Sequence, residues 1–423
     1  MSKSPQAFPH QVAIVGAGMS KFGSFPEKNS RDLFIDAFQS MRSSIDKGLD
    51  PRDIEALYLG NFSSDVFEGQ AHTAAVMADV AGLTPCPAIR VEDACASGGV
   101  ALRQGVLAIA YGIYEIVLVS GVEKMSNLPT DKVTNALAAA GDISYEIPSG
   151  FTFPGFYAAM TSVYMHKYKL QTEDLMRVAI KNHQNGSLNP KAHLGITILD
   201  MMNKRIDSAK KKGKPIPLWE NEWDFLRDDQ ANPMVAWPLR LFDCSPITDG
   251  SASILLVSGE IAKQFTDNPV FIIGSGQASD CPLHDRSDLS KIRATSKAAQ
   301  IAYETAGVSA NDIQIAEVHD CFTIAEIQAT EDLGFFEQGT GYKMVEEGVT
   351  TRDGRKPINT SGGLKSKGHP VGASGVAQAV EIWEQMRSEA GARQVTRDIP
   401  LALTHNVGGT GQTCVIHIFE RRY

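Results

Sequence analysis

The chain has 423 residues, 43% of them hydrophobic, enough for two or three domains with real cores. Its formal charge of −9 gives no general reason to bind nucleic acid or an anionic membrane surface. The six cysteines (86, 95, 244, 281, 321, 414) form no Cys-x-x-Cys pair and no zinc-type Cys/His spacing, so they read as reduced thiols of a cytoplasmic protein with no resident metal.

In chain order, the polar, proline-containing residues 3–10 do not read as a secretory signal. A first strand is predicted over residues 11–18, then a helix, the turn Gly48-Leu49-Asp50-Pro51-Arg52-Asp53-Ile54, and a short strand at residues 58–62. The longest apolar run, residues 106–122, is broken by Tyr111, Gly112 and Glu115 and fails as a membrane span. Glu420-Arg421-Arg422-Tyr423 is not a Ser-Lys-Leu peroxisomal address.

Asp93-Ala94-Cys95-Ala96-Ser97-Gly98 follows an apolar stretch and precedes a predicted helix over residues 100–110. A cysteine on such a strand-to-helix turn meets free backbone N–H groups and the positive end of a helix dipole, which favour the thiolate. Gly98 and Gly99 would let a substrate approach the backbone closely. Taken alone, the motif fits a nucleophile and a small buried cysteine equally well.

Residues 124–250 have no counterpart in the second half of the chain. A helix is predicted from Thr172-Glu173-Asp174 to Asn185. Lys204, Arg205, Lys210, Lys211, Lys212 and Lys214 then cluster ahead of Trp219 and Trp223, as a solvated surface or as a phosphate-attracting patch. Asp243-Cys244-Ser245-Pro246-Ile247-Thr248-Asp249-Gly250 closes the segment. Cys244, like Cys86 and Cys414, reads as a packed thiol.

The first strand recurs as Pro269-Val270-Phe271-Ile272-Ile273-Gly274-Ser275-Gly276, and the first turn as Gly307-Val308-Ser309-Ala310-Asn311-Asp312-Ile313. Cys95-Ala96-Ser97-Gly98-Gly99 has a counterpart in Asn359-Thr360-Ser361-Gly362-Gly363, read as a turn near the site. The offset is about 260 residues each time, the mark of two copies of one α/β unit. Duplication places the motifs on loops at the junction of the halves. Gly368-His369-Pro370-Val371-Gly372-Ala373-Ser374-Gly375 puts an imidazole on a turn, able to take the Cys95 proton or to donate to a thioester oxygen. Thr404-His405-Asn406-Val407-Gly408-Gly409-Thr410-Gly411 is a glycine loop whose N–H groups can line an oxyanion hole.

In the order cysteine, Gly-His-Pro, glycine loop, these motifs resemble the thiolase superfamily over nearly the whole chain. Glu317-Val318-His319-Asp320-Cys321-Phe322 narrows the resemblance. Many thiolases carry Asn-Glu-Ala-Phe here and a cysteine in place of His405. His-Asp-Cys-Phe with His-Asn-x-Gly is similar to the sterol-carrier-type and archaeal-type branch. Ketosynthases share the fold and would accommodate His319 and His405, but Gly-His-Pro and Cys321 argue against them.

The resemblance implies an α/β, duplicated thiolase fold, layered α-β-α-β-α, with an inserted loop domain. The expected divisions are residues 1–123, 124–250 and 251–423, with residues 203–230 looking like an insertion. It also implies CoA-dependent cleavage of a 3-oxoacyl-CoA or the reverse Claisen condensation, with coenzyme A as substrate and no permanently bound cofactor. Cys95 would carry the acyl group, His369 would activate it, and His319 would complete a first oxyanion hole. Cys321 would exchange a proton with the second substrate's α-carbon, and His405 would tune Cys321 or bind an oxyanion. The backbone N–H of Cys95 and one after His405 would form a second hole. Ser245 would lie against pantetheine, and Lys210, Lys211 and Lys212 would attract the CoA phosphates. A homodimer or dimer of dimers is expected. The alternatives are a hetero-complex with a small OB-fold zinc-ribbon subunit and a non-catalytic acyl-CoA-binding homologue.

Overall fold

The computed structural model describes residues 7–422, so the first half of the opening segment (residues 3–6) and Tyr423 lie outside the described residues. The chain begins β1 (Val12–Met19), α1 (Ser30–Ser43), β2 (Ala56–Gly60), α2 (Ser64–Phe67), α3 (Thr73–Val80), β3 (Ala88–Val91), α4 (Ser97–Ala110) and β4 (Ile116–Glu123). A long excursion follows through α5 (Thr130–Ala138), α6 (Phe153–Tyr168), α7 (Thr172–Ser187), α8 (Ile198–Lys211), α9 (Glu222–Arg227) and the hairpin β5 (Met234–Ala236) and β6 (Leu239–Arg240). Next come β7 (Gly250–Ser258), β8 (Val270–Ser279), α10 (Arg293–Ala306), β9 (Ile315–Glu317) and α11 (Thr323–Asp332). The chain finishes with α12 (Gly341–Glu346), α13 (Gly363–Ser366), α14 (Ser374–Met386), β10 (Leu401–Gly408) and β11 (Thr413–Arg421).

Nine strands pair in the order β3-β2-β4-β7-β1-β8-β11-β10-β9. The halves meet where β1 pairs with β8 through Val12–Ile272, Ala13–Phe271 and Ile14–Val270 alone. Outward from that seam each half repeats one plan. The repeated turns begin at Gly48 (φ 84°) and Gly307 (φ 69°), a left-handed conformation that glycine adopts without strain. Strand β7 lies between β4 and β1. Residues 251–258, counted with the C-terminal half on sequence, therefore complete the first half. Hydrophobic alternation identifies a strand, but only pairing decides which sheet it joins.

Period-two alternation sorts the strand side chains into layers. In β1 and β7, Val12, Ile14, Ile254 and Leu256 face the helices α4 and α14. Ala13, Val15, Leu255 and Val257 face α1 on the outside. Beyond the seam, α10 covers the outer face of β8 and β11 with Ala294, Ala298 and Ala302. This gives five layers, with α4 and α14 forming the shared middle one.

The excursion leaves and rejoins the sheet at paired residues, Glu123 opposite Gly250. A wholly buried ion pair, Lys124 to Asp249 at 2.6 Å, ties the two ends together. Helices α6 and α7 pack Tyr157, Tyr164, Leu175 and Val178 onto the second half. Residues 203–230 add helices that close over Met202, Phe225 and Leu226. Among the described residues no helix is long and apolar enough to cross a membrane.

Candidate active site

The turn from β3 into α4 carries Cys95. Ala94 is held at φ 49°, a conformation uncommon for a residue with a Cβ. The Ser97 hydroxyl fixes it by accepting from the Asp93 N–H at 2.9 Å and donating to the Ala94 carbonyl at 2.6 Å. Cys95 thus sits just ahead of α4, 9% exposed. A Cβ on Gly98 would lie 2.6 Å from the Gly372 carbonyl, and one on Gly99 would lie 2.8 Å from Asn406 Oδ1. These glycines let α4 approach the histidine loop and β10. The expectation that they admit substrate to the backbone is corrected accordingly.

Cys95, His319 and His369 bring one sulfur and two imidazole nitrogens within 4.8 Å of one another. The hydrogen bonds assign the protons. The Ser374 hydroxyl donates to the Pro370 carbonyl at 2.8 Å, so it accepts from His369 Nδ1 at 2.6 Å. His369 Nε2 is then left with a free lone pair, as a base requires. Asn406 Oδ1 accepts from the Gly99 N–H at 3.1 Å, and Nδ2 donates both to the Cys95 carbonyl at 3.0 Å and to His319 Nδ1 at 3.0 Å. His319 therefore carries its proton on Nε2, which is buried and has no hydrogen-bond partner among the described residues. That N–H is a preformed oxyanion donor. As a metal cradle the trio offers only two lone-pair donors, since His319 presents a proton.

The resemblance puts His405 in the site as a tuner of Cys321 or an oxyanion ligand; residues 404–408 continue strand β10 instead of forming a loop, and it is Asn406 that reaches Cys95 and His319. Successive side chains of a strand point to opposite faces. His405 turns away, with Nδ1 accepting from the His319 backbone N–H at 3.3 Å and Nε2 against Thr295 Oγ1 at 3.0 Å. Among the described residues its ring hydrogen-bonds to neither Cys95 nor Cys321. Asn406 lay inside the quoted motif, and strand periodicity was the signal for it.

The electrostatics also differ from the dipole argument. Burial, with the Glu123 carboxylate nearby, pushes the Cys95 thiol up to about 12, although the N–H groups of Gly409 and of Cys95 itself oppose the shift. Burial holds His369 down at about 3 and His319 well below its ordinary range. The resting pair is thiol and neutral imidazole, because desolvation outweighs one helix end. Glu123 is itself raised to about 7 by burial. It accepts from the N–H groups of Phe62 (2.8 Å), Ser63 (3.1 Å) and Gly372 (3.0 Å), clamping the histidine loop to the end of β2. Sequence reading passed over Glu123, whose only signal was a charge ending an apolar strand.

Cys321 follows β9, and burial raises its thiol well above the usual range. It shares with Cys95, His369 and Gly409 the floor of an apolar pocket of about 250 Å³, walled by Phe153 and Leu241 among others. Ser245 and Cys244 also line it, and the Ser245 N–H donates to the Cys321 carbonyl at 3.0 Å. Asn359 (φ 59°) supports this strand end, its Oδ1 accepting from the Val318 N–H at 2.8 Å. Lys210 and Lys211 close α8 and Lys212 caps it, and all three are exposed. None of them lines the cysteine pocket; Lys212 borders a separate surface cleft with Arg205 and Trp219.

Residues 12–260 match the N-terminal domain of thiolases, and residues 276–421 match the thiolase C-terminal domain-like family. The chain is 43% identical over 413 residues to an acetyl-CoA acetyltransferase of Methanothermobacter thermautotrophicus, covering 97% of this chain and 99% of that one. It is 30% identical over 435 residues to human sterol carrier protein 2, covering 98% of this chain and 73% of that protein. The solved Ltp2-ChsH2(DUF35) aldolase has the same fold, with a TM-score of 0.76, 24% identity and 98% of each chain covered. The chain belongs to the thiolase family.

Proposed function

We propose that this thiolase cleaves a 3-oxoacyl-CoA with coenzyme A, or runs the reverse Claisen condensation, through an acyl-enzyme on Cys95. The observation that carries the reading is the meeting of Cys95, His369 and Cys321 on the lining of one pocket, with a His319 ring nitrogen within 4.8 Å of the Cys95 sulfur and a His369 ring nitrogen. The acetyl-CoA acetyltransferase named above supports the reaction class.

In cleavage, His369 Nε2 takes the Cys95 proton as the sulfur attacks the 3-oxo carbon, and N–H donors hold the resulting oxyanion. His319 Nε2–H forms one hole, and the N–H groups of Gly409 and Cys95 form the other. The bond between carbons 2 and 3 breaks, and its electron pair stays on carbon 2. Cys321 supplies the proton that turns this carbanion into acetyl-CoA. The thiol of a second CoA attacks the acyl-cysteine and loses its proton, which restores the Cys321 thiol, and Cys95 recovers its own from His369.

Ser245, on the pocket wall, fits the pantetheine arm, and the exposed lysines 210–212 fit long-range attraction of phosphates. The half-exposed edge strand β3, with Ile89 51% exposed, favours a homodimer. An OB-fold zinc-ribbon partner is the second reading. The Ltp2-ChsH2(DUF35) aldolase and the bare Leu218 (94% exposed) in the 203–230 insertion favour it. The balance of composition and the scattered thiols favour a cytoplasmic setting. The test is a panel of 3-oxoacyl-CoA thioesters with and without CoA, followed by peptide mass analysis. One acyl mass on the Cys95 peptide and CoA-dependent product are expected; acylation elsewhere overturns the mechanism. Purification from the native organism with zinc analysis separates a lone oligomer from a two-subunit enzyme.

A further inference from the structure

Tyr157 enters the site from α6, fully buried, its ring stacked on Phe322 at 4.5 Å between centroids and 24° between planes. Its hydroxyl finds no hydrogen-bond partner, sulfur included, among the described residues. A phenylalanine would pack the same way without stranding a hydroxyl, a group that costs free energy when buried unpaired. Cys321, the residue just before Phe322, is the neighbour whose charge bears most on this hydroxyl. The Arg286 guanidinium acts on the same hydroxyl through space. One Arg286 Nη donates to the Thr410 carbonyl at 2.7 Å, and the other has no hydrogen-bond partner among the described residues. Two buried polar groups without a partner among the described residues, the Tyr157 hydroxyl and one Arg286 Nη, thus act on each other close to Cys321.

We propose that the Tyr157 hydroxyl is a hydrogen-bond donor to the Cys321 sulfur, stabilising its thiolate as it takes and returns the substrate α-proton. This rests on the acid/base role assigned to Cys321. In the forward step the α-proton passes to sulfur and the C–H electron pair stays on carbon as the enolate. On return the S–H proton goes back, and Tyr157 keeps its own proton throughout. Charged and titratable groups acting on this pair are Cys95 from the start of α4, Asp320 beside Cys321, and Arg286 behind Tyr157.

The test is Tyr157→Phe in the full chain. Acyl transfer from acetyl-CoA to Cys95 should stay within about twofold, while exchange of acetyl-CoA α-protons with deuterated water falls about 10- to 100-fold. The rising limb of the exchange rate should move to higher pH, since the thiolate loses a donor. Tyr157→3-fluorotyrosine, whose hydroxyl is a stronger donor, should move that limb to lower pH and covers the case of a misfolded Phe variant. Exchange and limb unchanged in both variants would overturn the proposal, and so would equal loss of acylation and exchange, which marks a packing role. Cys321→Ala separates the two levels of inference. If it retains exchange, the role of Cys321 itself fails; if it loses exchange while Tyr157→Phe does not, only the role of Tyr157 fails.

Discussion

Each half of this thiolase carries a residue held at positive φ ahead of small residues and a helix, yet only one of the two copies carries a nucleophile. In the first half Ala94 (φ 49°) turns β3 into α4 and lifts Cys95 to the pocket floor. In the second half Asn359 (φ 59°) makes the corresponding turn. Its side chain is spent on backbone, with Oδ1 on the Val318 N–H at 2.8 Å, and on the Glu326 carboxylate at 2.8 Å. The second copy has become a brace for the strand end that carries His319 and Cys321. Conversely, the end of β2 in the first half runs into Asn61 and Phe62, where the second half has His319 and Cys321, and is clamped by Glu123. In the repeat Asn359 is aligned with Cys95 itself, and the positive φ falls one residue earlier, at Ala94, in the first half; the two turns thus divide nucleophile from brace.

The sharpest way to break the comparison is to exchange loss of chemistry for loss of structure. Cys95→Ala should reduce thiolysis by at least about 10⁴-fold with little change in melting temperature. Asn359→Ala, which loses two hydrogen bonds and leaves a Cβ residue at positive φ, should cost about 2–4 kcal/mol of stability, read by denaturant unfolding. Comparable stability losses in both variants would erase the distinction.

A second test concerns how Cys95 is activated. Burial raises the thiol to about 12, so its thiolate fraction should climb about tenfold per pH unit through the neutral range. Iodoacetamide labelling of Cys95, followed by peptide mass spectrometry, should therefore keep rising from pH 7 to pH 10. His369→Ala should slow acyl-enzyme formation by about 10³-fold, because the proton then has no acceptor. A labelling plateau near pH 7 would restore the helix-dipole account and remove the need for His369 as base.

The two neighbours on β10 sharpen the comparison further. Asn406→Ala should lower kcat by about 10- to 100-fold with KM for CoA little changed, since it frees the His319 tautomer. His405→Gln should stay within about fivefold of the parent. If the order reverses, the second histidine and not the asparagine serves the oxyanion. The smallest effect belongs to the surface. Replacing Lys210, Lys211 and Lys212 together by alanine should raise KM for CoA about twofold at low salt and leave kcat alone, with the difference vanishing at high salt. No change at low salt would make them a solvated helix end only.

Much of the molecule was legible from residues alone. The recurrence of residues 11–18 at 269–276, the turn signals at Gly48 and Gly307, and the cysteine and histidine motifs are local patterns, and local patterns report backbone conformation and residue chemistry. Three things belonged to the tertiary structure. Strand β7 joined the first half because pairing partners far apart in sequence are chosen by the packed sheet. Asn406 and not His405 faced Cys95 because the register of β10 against β9 and β11 decides which face looks inward. The protonation of the site followed from burial on every side, which a sequence does not encode at any one position. Desolvation is summed over everything that folds around a group, and so it overrode the single helix end that the motif displayed.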